Sequence, residues 1–427
     1  MKKILLLIFT LISVVSLNAQ QVKGIIGETN WFNNWTNFKP KTIDYNDATN
    51  IITGVISENT TLYKKNTYLL MGIVYLVNNA TLTIEPGTVI RGDFDTCGTL
   101  VVAKGAKIIA QGTETDPIVF TSNKNASERK PGDWGGLIIF GDAPINKFGG
   151  VGFLDFNLDS KYNMYGGLNP ESDSGILKYV RIEFSGRKLN SLKELNGLSL
   201  AGVGAKTKIE YVQISFSNDD SFECYGGNLK FNNLISFRAT DDDFDFTQGA
   251  QCSINNSIAI RYPFSSDISR SRCFEIDSYD KIENLDASKK MTNIVASNIT
   301  LINNEDNDQG LVKEAVYIKS DSFFELKNSI ISGFNQCVLL EDKIAVQISN
   351  LEKIKLQDVV FNNCAAYIEN ESGSINKQIG EWYNNEKFNI LISKTVRAAL
   401  FVESDIKKAA DFRLKENNII TSRLAAN

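Results

Sequence analysis

The chain has 427 residues, with 50 acidic and 45 basic side chains, 43 % apolar residues and no histidine. This composition is that of a folded globular protein and excludes wholesale disorder. The missing imidazole excludes a Ser-His-Asp or Cys-His catalytic apparatus, His-ligated zinc or haem, and a histidine pH switch. Acid–base chemistry is left to carboxylates, lysine, tyrosine or a bound metal.

In chain order, residues 1–19 read as a cleaved signal peptide. Lys2 and Lys3 precede an uncharged apolar run over 4–17, and Ala19 offers a small residue at the cleavage point. That run is short of a bilayer span and no later one is long enough, so the mature chain is expected to carry no transmembrane segment. The leader predicts export, to the outer-membrane surface, the periplasm or the cell exterior. Its removal takes two lysines and leaves 43 basic against 50 acidic side chains. The resulting negative charge and the lack of a basic stripe argue against a nucleic-acid partner. The six cysteines contain no CxxC and stand at long, irregular spacings, which argues against a thiolate metal site and leaves disulfide pairing open. Cys224 and Cys364 lie in strand-like stretches and read as buried free thiols.

Residues 20–50 include NWFNNWTNF. They are expected to cap the open end of the fold, with Trp31, Phe32, Trp35 and Phe38 packing inward rather than stacking on sugar. From 51 to 373, short alternating strands separated by Gly, Asn and Asp recur, as in LTIEPGTVIRG, LVVAKGAKIIAQG and KIEYVQISFS. YVQISFSNDDSFECYGG starts at Tyr211 and NLISFRATDDDFDFTQG at Asn233, a period of 22 residues. Strands this short cannot bury an apolar face singly, and stacking coil on coil buries it. The reading is an all-β, right-handed parallel β-helix of about 22-residue coils with terminal caps. GDWGG places Trp134 in a glycine-rich corner where close backbone approach is expected. Residues 374–427 carry helical turns and more charge, and read as the closing region of the same domain.

TLTIEPGTVIRG, GTLVVAKGAKIIAQGTETDPIVFTS and GDWGGLIIFGDAPIN, followed by NDDSFECYGG and FRATDDDFDF, resemble secreted right-handed parallel β-helix proteins of Bacteroidetes-type bacteria. The resemblance implies fold and export and carries no catalytic residues. A more distant likeness, to pectin-active β-helix enzymes, rests on NDDSFE and TDDDFD. The Gly-His-Gly and Arg-Ile-Lys elements of polygalacturonase-like enzymes are missing here, so that mechanism does not carry over in its usual form.

Aligning the two motifs sets Asp219 over Asp241, Asp220 over Asp242, Ser221 over Asp243 and Glu223 over Asp245, with Glu275 of RCFEID a third step. Alternation points Phe222, Cys224, Phe244, Phe246, Phe274 and Ile276 inward and stacks Glu223, Asp245 and Glu275 outward, at about the 4.8 Å strand spacing. Such a column demands compensation, from Arg238, Arg261, Arg270 or Arg272, from a bound cation, or by protonation of one member. Ligand-binding candidates are Asp219, Asp220, Glu223, Asp241, Asp242, Asp243, Asp245 and Glu275. Asp241, Asp243 and Asp245 are the expected ligands of Ca²⁺, a hard cation. The leading functional reading is a binding or structural protein for a glycan or envelope component. The alternative is a Ca²⁺-dependent polysaccharide lyase or a carboxylate-based glycoside hydrolase, with Asp220, Asp243, Asp245, Arg238 and Arg261 as catalytic candidates and Lys230 as another nearby base. A purely structural role for the acids, bonding turn amides at coil corners, stands beside both.

Overall fold

The computed structural model describes residues 23–191, 193–266, 270–303, 310–319, 321–344 and 347–424, without the side chains of residues 348 and 416. The expected leader lies outside the described residues. Among them, 27 strands join in one hydrogen-bonded sheet. Apart from one antiparallel strand at its C-terminal end, every pairing in that sheet is parallel, each strand lying on its counterpart from the next coil. The fold is a parallel β-helix.

Three stacks run along the axis. Strand Lys230–Phe237 shows how one coil serves two of them. Its first half pairs with Gln251–Asn255 and its second half with Ile258–Arg261. Between the halves Asn233 takes φ 57°, and Asn256, Asn298, Asn328 and Asp358 repeat that left-handed corner in later coils. Asn and Asp tolerate this conformation, which lets the chain turn a corner in a single residue. The third stack contains Thr99–Val102, Gly136–Phe140, Leu198–Ala201, Phe222–Tyr225, Phe244–Thr247, Phe274–Ile276, Glu314–Ile318, Gln336–Leu340 and Ala366–Asn370.

Period-two alternation fills the interior. Phe222, Phe244, Phe274 and Phe324 are buried, with successive ring centroids 5.4, 5.1 and 5.6 Å apart. Each buried ring contributes about 1.5–3 kcal/mol relative to exposure. Cys224, Phe246 and Ile276 also point inward, as alternation predicts. All six cysteines carry free thiols.

The 22-residue period is local. Asp220 and Asp242 are 22 residues apart, but Asp242 and Arg272, the next step, are 30 apart. Strand register is kept across the longer step, with Phe244 on Phe274 and Asp245 on Glu275. The largest insertion, 141–174, folds back over the third stack and buries Ile145, Leu154 and Tyr165 against Phe140 and Ala201.

Residues 23–47 differ from the expected end cap and run along the outer face of the second stack. Ile25, Phe32 and Trp35 pack there on Ile235, Phe237, Ile258 and Ile260, together with Phe401 and Phe412 from the closing region. Trp35 lies edge-on to Tyr179 and Tyr211, so the aromatics serve packing. Polar contacts follow the same line. Gly24 N–H donates to Asn328 O at 2.8 Å and Ile26 N–H to Asn256 Oδ1 at 2.7 Å. Gln213 bonds both ways with Asn37, Arg129 donates to Pro40 O and Ile43 O, and Arg91 to Asn46 O. At the C-terminal end, helix Asn376–Tyr383 sets Ile379 and Tyr383 into the main core, and Tyr383 Oη donates to Ile354 O at 2.9 Å. No helix among the described residues is long and apolar enough to cross a membrane.

Candidate functional site

On the third stack the residues that face away from the core form columns. Register pairs Ser199 with Glu223, Glu223 with Asp245, Asp245 with Glu275 and Glu275 with Tyr317. The expected carboxylate column is therefore in place and ends on an aromatic ring. The corners before these strands add Asp219 and Asp220, then Asp241 and Asp242. Asp220, Asp241 and Asp242 border an open groove of about 500 Å³, lined also by Asp245, Arg270, Arg272, Glu275, Tyr317, Lys319 and Glu371; the expected candidates Asp219 and Glu223 are not among its lining residues.

The donors are shared unequally. Glu223 accepts from Tyr225 Oη and Asn196 Nδ2. Glu275 accepts from Arg272 Nη1 at 2.8 Å and from Lys319 Nζ, which also lies 3.4 Å from Asp277. Asp220 and Asp242 are buried and bond backbone amides of the next coil. Asp245 is the exception: its Oδ1 is buried without a hydrogen-bond partner. Three overlapping groups, Asp219–Asp220–Asp241, Asp220–Glu223–Asp245 and Asp242–Asp245–Glu275, each bring carboxylate oxygens within 4.8 Å of one another.

Electrostatics follows from this crowding. Burial pushes Asp219, Asp220, Asp242 and Asp245 well above the ordinary carboxylate range, and the neighbouring carboxylates push further in the same direction, with Arg272 opposing them at Asp242. Burial also lifts Glu223 to about 7, against the opposing effect of the Tyr225 and Asn196 bonds. For Lys319, burial works against the charge, but Glu275 and Asp277 outweigh it and hold the ammonium charged. The three groups of acids offer carboxylate oxygens, the hard ligands that could hold a divalent cation.

The structure corrects several expected members of the site. Asp243 is fully buried beneath the corner, accepts from Ser236 Oγ and pairs with Arg261 at 3.0 Å. It is a buried ion-pair partner, so of the expected cation ligands only Asp241 and Asp245 line the groove. Arg261 is likewise fully buried and is not available as a base. Arg238 lies against Phe237 and Tyr262, 5.3 and 4.9 Å from their ring centres, outside the groove. Lys230, at the exposed start of its strand, also lies outside it. Trp134 is buried, donates from Nε1 to Glu183 O at 2.7 Å and leaves no room for a Cβ on Gly92, so it serves packing.

Of the charges expected to compensate the column, Arg270 and Arg272 line the groove, whereas Tyr317, Lys319 and Glu371 were missed from sequence. The guanidinium of Arg272 sits 4.6 Å from the Tyr317 ring centre, and Tyr317 Oη donates to Glu371 Oε1 at 2.8 Å. The signal was present in AVYIK, which continues the FEI alternation with tyrosine at the column position.

The fold and groove define a parallel β-helix with a polar, carboxylate-rich channel on one sheet. The chain belongs to the pectate-lyase like beta helix domain family, whose model matches residues 54–397. Among curated proteins and among solved structures, none matches it.

Proposed function

We propose that this is an exported carbohydrate-binding protein, which holds a glycan or envelope component in the groove of the third stack with Ca²⁺ against Asp245. Membership of a pectate-lyase like family supports a carbohydrate-related role. The observation that carries the cation is the buried, unpartnered Oδ1 of Asp245, in register with Glu223 and Glu275. A buried carboxylate oxygen without a donor is costly, and a bound cation removes that cost. Asp220 with Glu223, and Asp242 with Glu275, bring carboxylate oxygens within 4.8 Å of those of Asp245.

Arg270, Arg272 and Lys319 in the same groove favour one second reading, a Ca²⁺-assisted polysaccharide lyase with one of them as base. All three contact carboxylates: Arg272 and Lys319 bridge Glu275, and Arg270 lies 3.6 Å from Glu314. Cations held in this way suit ligand binding better than proton abstraction.

Thermal shift with CaCl₂ and with EDTA, followed by binding and turnover on a polysaccharide panel, tests both readings. The binding reading expects stabilisation by Ca²⁺, Ca²⁺-dependent glycan retention and no new chain ends. Release of chain ends moves the assignment to the lyase. An absent Ca²⁺ shift together with no glycan retention overturns both.

A further inference from the structure

Arg261 is fully buried, and its side chain reaches both sides of one corner of the groove. Nη1 donates to Asp241 O at 2.7 Å, Arg272 O at 2.9 Å and Asp243 Oδ2 at 3.0 Å. Nη2 donates to Ala239 O at 3.2 Å and Ser265 O at 3.1 Å. The carbonyls on one side belong to the turn 239–241, which carries Asp241 and precedes Asp242. Those on the other side belong to Ser265 and to Arg272, the latter two residues after Arg270. Two hydroxyls make the same crossing: Ser265 Oγ donates to Ala239 O at 2.9 Å and Ser271 Oγ to Thr240 O at 2.6 Å. Asp243 N–H donates to Arg272 O at 3.0 Å and closes the set.

From this geometry we infer that the Arg261–Asp243 pair is a positioning device: it fixes the acidic turn and the basic segment of the groove relative to each other. A guanidinium suits this task because its planar fork aims several donors at once, and an ammonium cannot span the same acceptors. Asp243 keeps the buried cation compensated, which explains an aspartate at a corner position it shares with Ser221 one coil earlier. The consequence for ligand binding rests on the reading of the groove given above, whereas the mechanical coupling does not.

The test uses the full chain and the paired variant R261M/D243N, which removes both buried charges together and so avoids stranding one of them. Hydrogen exchange is expected to rise about tenfold at the amides of 240–243 and 270–273, the scale of losing one or two hydrogen bonds. The strands Phe222–Tyr225 and Gln251–Asn255 keep wild-type rates, and calcium affinity by calorimetry falls about tenfold. R261K, which keeps the charge, stands in if the paired variant does not fold, and is expected to loosen the same two segments. Wild-type exchange in both segments, or equal acceleration throughout the coil stack, overturns the inference. If the wild-type protein binds neither Ca²⁺ nor glycan, the functional proposal fails while the exchange pattern still decides the coupling.

Discussion

Asp220 Oδ1 accepts the backbone N–H of Asp242 at 2.9 Å, one coil further on. Asp242 Oδ1 repeats the bond to the N–H of Arg272 in the coil after that. Corner aspartates thus join successive coils through side chain and backbone, in addition to bordering the groove. Asp220→Asn keeps an acceptor oxygen and removes a crowded charge, so stability is expected to stay within ~1 kcal/mol of wild type. Asp220→Ala leaves a buried amide unpaired and is expected to lose ~1–3 kcal/mol in urea unfolding.

The raised carboxylates make stability depend on pH in a stated direction. Asp219, Asp220, Asp242, Asp245 and Glu223 hold protons in the folded state at pH values where the unfolded chain has released them. Stability then falls as pH rises from the ordinary carboxylate range of about 4 upward, with Glu223 titrating near 7. In EDTA the midpoint of thermal unfolding should be higher at pH 5 than at pH 8. With no histidine in the chain, imidazole cannot contribute to that slope.

Asp245→Asn separates repulsion from binding. Without added metal at pH 8, the variant should gain on the order of 1 kcal/mol, because a neutral amide relieves the Glu223–Asp245–Glu275 column. Its response to CaCl₂ should disappear. Equal calcium shifts in variant and wild type would assign the cation elsewhere.

The strap along the second stack is expected to matter through packing. Trp35 is fully buried among Phe237-side aromatics and isoleucines, and Trp35→Ala should lose about 3–5 kcal/mol. Glu28→Ala, at an exposed position of the same segment, should change stability by less than ~0.5 kcal/mol. Chemical denaturation of both variants decides whether the segment is an integral part of the core.

A Cβ on Gly92 would fall 2.5 Å from Trp134. Gly92→Ala is expected to cost roughly 1–3 kcal/mol through overpacking, and near-UV circular dichroism should report the displaced indole.

Alternation made the inward column readable, because Phe222, Phe244 and Phe274 stand at strand positions where a period of two decides the face. It also placed Glu223, Asp245 and Glu275 correctly. The corner acids escaped it: Asp242 and Asp243 are neighbours outside the strands, and Arg261 and Ser236, from another stack, hold Asp243 turned in. Tyr317 and Lys319 were hidden by distance along the chain, since the intervening insertion breaks the 22-residue count while leaving register intact. The lateral course of 23–47 was equally hidden, because apolar aromatics suit an end cap and a side face alike.

That lateral course runs against the order of the coils. Gly24 bonds at Asn328, Ile26 at Asn256, Asn37 at Gln213, Pro40 at Arg129 and Asn46 at Arg91. Phe32 packs on Phe412, almost the whole chain length away. Residues 23–47 therefore find their complete seat only once Phe401 and Phe412 are in place. Coil stacking can spread between neighbours as each is synthesised, but closure of the side face has to wait for residues 400–412.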